Sequence, residues 1–192
     1  DPIIVIGRGH GGTRAISKTL VESGVHMGRT VRTDTYDTMP PDRMYDAARI
    51  AGTAVRSPAP NTWDFERLVR EPPSVYVVAV EDFLENVDRQ GRWGWKLPET
   101  LLSFPWLRQL YPKAHYIYWR RDPQDALRQG HMTDDLSKWN VLVHASSLEE
   151  HRTLSYIYQE QIVRRSIEAQ GIPERFIGVR FAQKVMSLAF CC

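Results

Sequence analysis

Apolar residues in this 192-residue chain fall into two rhythms. Short continuous runs at 2–6 (PIIVI) and 114–119 (AHYIYW) predict strands buried on both faces of a parallel sheet. A short strand is expected at 92–96 (RWGWK), and 175–181 (RFIGVRF) reads as the last strand before an apolar tail. Between these runs the spacing becomes helical. Thr13 to Glu22 carries Ile16 and Leu20 one turn apart and is ended by Gly24. In 75–87, Val77, Val78, Val80, Phe83, Leu84 and Val87 mostly share one helical face, although VYVVAV alone fits a strand equally well. Residues 98–112 (PETLLSFPWLRQLYP) predict a helix interrupted near Pro105, 122–130 a helix directly after a strand, and 142–170 one long helix or two. The segment 28–62, rich in Asp, Thr and Pro, reads as a loop insertion around an amphipathic helix at 43–55, placed to face a substrate. There is no internal repeat or domain boundary. Residues 1–192 are therefore expected to form one α/β domain, a three-layer αβα sandwich with a central parallel sheet.

Composition changes this picture little. A chain that is 42% hydrophobic and 10% aromatic can bury a core of this kind. Its formal charge of +2 is spread along the chain, which predicts neither a nucleic-acid nor a membrane surface while leaving local basic clusters for an anionic ligand. Cys191 and Cys192 are adjacent at the end, so a disulfide framework and a cysteine-based zinc site are both excluded; free thiols on a loose tail are expected. No apolar run approaches the ~20 residues of a membrane span, and no signal peptide precedes the first strand. A soluble domain, cytoplasmic or lumenal, is expected, with the cytoplasm the first assignment. Because the chain begins at Asp1 rather than Met, a removed tag, leader or anchor stays open.

The chemistry enters at residues 3–20, IIVIGRGHGGTRAISKTL, a strand, a glycine-rich turn and a helix. Backbone N–H groups of such a turn, with the free N–H groups opening the helix, form a concave positive site suited to phosphate or sulfate. Gly9, Gly11 and Gly12 permit close approach, Thr13 can contact a phosphate and Arg14 adds charge. Gly7 to Gly12 have the spacing of a nucleotide-binding P-loop, but the lysine and the magnesium-holding hydroxyl that should follow are displaced.

GRGHGGTRAI, through His10 to Ala15, resembles the phosphate loop of the sulfotransferase family that uses 3′-phosphoadenosine 5′-phosphosulfate, especially its carbohydrate-modifying branch. YPKAHYIYWRRDPQDALRQ is similar to the family's strand-to-helix block, GWKLPE (94–99) to its Lys-x-Pro segment, and RFIGVRF to its last core strand. The resemblance implies a P-loop-like nucleotide-binding core that moves a sulfuryl group from the phosphosulfate to a hydroxyl or amine of a small-molecule or carbohydrate acceptor. The reaction would leave adenosine 3′,5′-bisphosphate and need no metal. In-line sulfuryl transfer builds negative charge on the leaving oxygen, so it requires fixed donors there and a base for the acceptor. By resemblance Gly11, Gly12, Thr13 and Arg14 cradle the 5′ end, and Arg121 with Gln129 binds the 3′-phosphate, Gln129 standing where the family has a hydroxyl. His10 occupies the position of the family's loop lysine, and a histidinium can do the same work when protonated. Arg8 or Lys96 would add permanent charge, and Glu99 is the candidate base. The Tyr-Glu-Asp-Leu expected after the last strand reads Phe181, Ala182, Gln183, Lys184, without the family's following helix and basic loop.

Other candidates carry weaker patterns. Asp34, Asp37 and Asp42 sit in the insertion and can orient a hydroxyl acceptor, though Asp is also an ordinary turn former. His131, His144 and His151 lack the spacing of a metal site and read as structural, with His131 the exception by its place after the Arg121 helix. Of Trp93, Trp95, Trp106 and Trp119, Trp95 is the candidate to stack on the adenine or a sugar. Two other functions fit parts of the pattern: a P-loop kinase or NTPase, which would depend on magnesium, and a catalytically degenerate nucleotide-binding module of the same fold.

Overall fold

The computed structural model describes residues 1–182 and 185–188. The elements run β1 (Ile3–Ile6), α1 (Thr13–Glu22), β2 (Thr30–Val31), β3 (Thr38–Met39), α2 (Asp42–Ala54), α3 (Ser74–Leu84), β4 (Gly94–Lys96), α4 (Phe104–Leu110), β5 (His115–Arg121), α5 (Pro123–Ala126), α6 (Leu148–Gln170), β6 (Phe176–Ala182) and β7 (Val185–Leu188), with short 3-10 segments between them. The main sheet has the order β4-β1-β5-β6-β7; the first four strands are parallel and β7 pairs antiparallel with β6.

Alternation along β1 builds three layers. Ile4 and Ile6 face the large core, packed with α2, α3, α4 and α6, whereas Val5, with Val25 and Met27, forms a second cluster closed by Ile16 and Leu20 of α1. The central strand is thus buried on both faces, as its unbroken apolar run predicts. In α3, Tyr76, Ala79, Val80, Phe83 and Leu84 are buried at helical spacing while Val75 and Val78 are exposed, so helical periodicity prevails over the strand-like VYVVAV.

Several expectations are corrected. Pro105 does not interrupt a helix: 98–103 is a 3-10 segment and Pro105 stands in the first turn of α4, where a missing N–H is harmless. The helix expected over 122–130 closes after Ala126, because the Arg8 side chain draws off the carbonyls of Ala126 and Gln129. Helix α6 begins only at Leu148, capped by Ser147. The insertion contains, besides α2, the small β2–β3 hairpin, in which Thr30 pairs with Met39 and Val31 with Thr38. The tail cysteines Cys191 and Cys192 lie outside the described residues.

Chain connection determines where a ligand can sit. β1 lies between β4 and β5, so the chain leaves β1 toward one neighbour and later returns on the other side. Parallel sheets of this kind open a crevice outside the strands' C-terminal ends at such a reversal. The glycine-rich turn after β1, Lys96 at the end of β4 with Glu99 just beyond it, and Arg121 at the end of β5 all fall at that edge.

Candidate active site

The turn after β1 is clamped from the neighbouring strand. Trp119 on β5 donates its indole N–H to the Gly11 carbonyl at 2.8 Å, Arg121 donates to the His10 carbonyl at 3.1 Å, and the Gly11 N–H closes on the Arg8 carbonyl at 3.0 Å. Gly12 precedes α1 at φ 101°, a left-handed conformation glycine adopts freely. No side chain caps α1 and no acid stands in its first turn, which leaves the helix's first N–H groups to an anion. At Gly9 a Cβ would run into the His131 ring, so the bare backbone lets that imidazole lie against the loop.

Two cavities meet beside this turn. One of about 510 Å³ follows the loop past Gly9, Gly12, Thr13, Lys96 and Gln129. The other, about 1050 Å³, runs from Tyr45 and Glu99 to Lys138 and Arg152. His10, Arg14, Asp37, Pro98 and His131 line both and mark the junction.

Charges near the junction are organised by burial. Lys96 is 4% exposed; its ammonium donates to Asp37 at 2.6 Å and to the Thr35 carbonyl at 2.9 Å, leaving one proton unengaged. Burial lowers its pKa against the opposing pull of Asp37. The β2–β3 turn thereby brings Asp37 to Lys96, and Thr38 ties the hairpin to β4 by accepting the Lys96 backbone N–H at 3.2 Å. Glu99 is 1% exposed, and its Oε2 has no hydrogen-bond partner among the described residues. Burial, with the Asp37 charge adding to it, raises its pKa to about 7, against the opposing pull of its own backbone N–H and of Lys96. His131 is pushed down to about 4, chiefly by burial and further by the neighbouring His10 and Arg8. The Thr133 N–H donates to its Nδ1 at 3.2 Å, so the neutral ring carries its proton on Nε2. The rings of His10 and His131 meet edge to face, 5.4 Å between centroids.

The structure brings Gly9, His10, Gly12, Thr13, Arg14, Lys96 and Gln129 to one cavity wall, with Glu99 next to it in the larger cavity. Arg8 is a correction. Its side chain is buried, and its five N–H donors go to Asp134 twice and to the carbonyls of Gly9, Ala126 and Gln129, so it braces the loop and offers no donor to a ligand. Arg121 and Gln129 do not share a cavity: Arg121 lies with Gly11 in a narrow cleft, its Nε buried and unpartnered, whereas Gln129 faces the loop cavity. Trp95 is also corrected. It is fully buried, donates to Thr100 at 3.3 Å and packs on Phe83 and Tyr111, so it is core and does not reach a ligand. Asp34 pairs with Arg32 at 2.8 Å, and Asp42 stands in the first turn of α2. Asp134 and Trp119 carry no local sequence signal for their roles; both act across more than 100 positions, 126 to Arg8 and 108 to Gly11.

A mainly parallel α/β sheet carries a glycine loop and an uncapped helix N-terminus at its crevice, with Lys96, Asp37 and Glu99 beside them. The sequence profile of the sulfotransferase family matches residues 2–187, and the chain belongs to that family. Among solved structures, the sulfotransferase STF9 from Mycobacterium avium aligns at 19% identity with a TM-score of 0.48, over 92% of this chain and 58% of that one. The chain thus spans 58% of the length of that protein. No curated protein sequence matches the chain.

Proposed function

We propose that the protein transfers a sulfuryl group from 3′-phosphoadenosine 5′-phosphosulfate to a hydroxyl or amine of a small-molecule acceptor, with carbohydrates the first class to try. The observation that carries this reading is the meeting of two cavities at a glycine loop flanked by Lys96 and Glu99. When bound, the phosphosulfate supplies an activated sulfuryl group and a phosphate leaving group. The loop suits it: an uncapped α1 N-terminus, Thr13, and an Arg14 that makes no ion pair among the described residues complement the negatively charged phosphosulfate. Arg121, braced against the His10 carbonyl, is the group for the 3′-phosphate, whereas Gln129 faces the loop cavity and is a donor there.

The Lys96 ammonium in the loop cavity, with the Nε2–H of His131 and the His10 ring at the junction, counters negative charge that develops there. Asp37 holds the Lys96 ammonium in place. Glu99 accepts the acceptor's proton, a role suited to a carboxyl whose pKa stands near 7. The test is release of adenosine 3′,5′-bisphosphate across a panel of sugar and small-molecule hydroxyls and amines. Turnover with at least one of them is expected, with Glu99→Gln lowering kcat by about 100-fold or more at unchanged bisphosphate affinity. Full activity of Glu99→Gln removes the base assignment; no release with any acceptor contradicts the function.

A further inference from the structure

The larger cavity has an end that sulfuryl transfer leaves unexplained. Its carboxylates are held: Asp34 by Arg32 at 2.8 Å, Asp37 by Lys96 at 2.6 Å, Asp134 by Arg8 at 2.6 Å and Asp135 by Lys138 at 3.4 Å. Glu99 keeps its proton up to near neutrality. Two arginines on the same wall, Arg14 and Arg152, make no hydrogen bond or ion pair with any described residue. Arg14 belongs to the junction with the loop cavity. Arg152 lies in the second turn of α6, lines the larger cavity alone, and its Nε is buried without a partner. The preceding residue, His151, repeats the feature with a buried, unpartnered Nδ1.

Buried polar atoms almost always find a partner, so the unpartnered Arg152 Nε–H, with an unpartnered imidazole nitrogen beside it on the same cavity wall, points to a ligand that supplies an acceptor. The backbone leaves room for this guanidinium. A Cβ at Gly130 would approach Arg152 Nη2 to 2.9 Å and Nε to 3.0 Å, so any side chain there would displace it. A planar guanidinium with free donors in a cleft matches a carboxylate, sulfate or phosphate group bidentately, which an ammonium does not.

We propose that Arg152, with His151, forms an anion subsite at the α6 end of the larger cavity, and that the acceptor is an acidic small molecule whose anionic group docks there. This rests on the transfer reading above, for it gives that reaction's acceptor a chemical class. The anion belongs to the acceptor and not to the donor, because Arg152 lines the larger cavity and not the loop cavity.

The experiment titrates inorganic sulfate, glucuronate and glucose separately into protein saturated with adenosine 3′,5′-bisphosphate, for wild type, Arg152→Gln, Arg152→Lys and Gly130→Ala. Sulfate and glucuronate are expected to bind the saturated wild type and glucose not to. Arg152→Gln and Gly130→Ala should weaken both anions about 10-fold or more, Arg152→Lys less, with bisphosphate affinity within about 2-fold of wild type throughout. The proposal is overturned if neither anion binds the saturated protein, if Arg152→Gln leaves their affinity intact, or if it weakens the bisphosphate about 10-fold, which would assign Arg152 to the donor. Should the bisphosphate fail to bind wild type, the transfer reading falls separately. Sulfate is then titrated into the unliganded proteins, where loss of one site in Arg152→Gln supports the subsite and its retention overturns it.

Discussion

Burial turns the buried ionisable residues near the loop into distinct instruments, and Glu99 and Arg8 show opposite uses of it. The Glu99 pKa rises from 4.5 to about 7, so between those values the unfolded carboxyl ionises while the folded one stays protonated. The native state binds the extra proton, so its contribution to stability is fully present below pH 4.5 and lost as pH rises through about 7. The shift corresponds to about 3 kcal/mol. Glu99→Gln does not titrate, so its stability relative to wild type should rise by that order between about pH 4 and pH 8, read from denaturant midpoints. In the wild type kcat/KM should climb through about pH 7 as the base loses its proton. Arg8 instead has every donor saturated inside the protein. Asp134→Ala would strand that guanidinium, at a cost of about 3–5 kcal/mol by thermal or chemical unfolding; a loss below about 1 kcal/mol would mean that water replaces the carboxylate. In the sequence Arg8 looks like a phosphate ligand because it stands inside the loop. Its partner is 126 positions away, and no local pattern announces a pairing of that kind. The Glu99 candidate was legible from its place after β4, whereas its burial was not, since that depends on how the hairpin and α2 close over it.

At the scale of elements, those with a regular apolar rhythm were readable and those shaped by side-chain contacts were not. β1, α1, α2, β5 and β6 appear within a residue or two of their predicted ranges, and α3 starts as predicted but ends three residues early, because period and burial agree in them. Helix α5 is cut short by Arg8 taking its carbonyls, and the β2–β3 hairpin is held by Thr38, which donates to the Met27 carbonyl at 2.6 Å; neither cause is local in sequence. The loop itself makes an element-level prediction. Gly12→Ala and Gly24→Ala both force a non-glycine residue into positive φ, 101° and 78°, costing about 1–2 kcal/mol each. Only at Gly12 does the new Cβ meet structure, 3.0 Å from the Trp119 indole nitrogen that anchors the loop, while at Gly24 it meets open space. Similar losses of stability with loss of bisphosphate binding only in Gly12→Ala is the expected pair of results; equal binding in both variants would mean that the loop is not the phosphate site.

For the whole molecule, the strand order collects chemistry that the chain keeps far apart. The loop after β1, Lys96 and Glu99 at and just beyond the end of β4, and Arg121 at the end of β5 share one edge because β1 lies between the other two strands. The sequence announces the blocks but not the two cavities, whose walls come from the insertion, the 3-10 segments after Gly130 and α6. On the proposed function, this edge holds a nucleotide at two separate phosphate sites without needing magnesium. The most direct measurement is a calorimetric titration of adenosine 3′,5′-bisphosphate, in the presence of a metal chelator, into wild type and Arg121→Ala, with ATP and magnesium as the parallel ligand. The account predicts metal-independent binding that the Arg121 change weakens about 10-fold or more, and a thermal midpoint raised by several degrees at about 100 times the dissociation constant, where binding adds roughly 2.7 kcal/mol. Binding of ATP with magnesium alone, or of neither nucleotide, would contradict it.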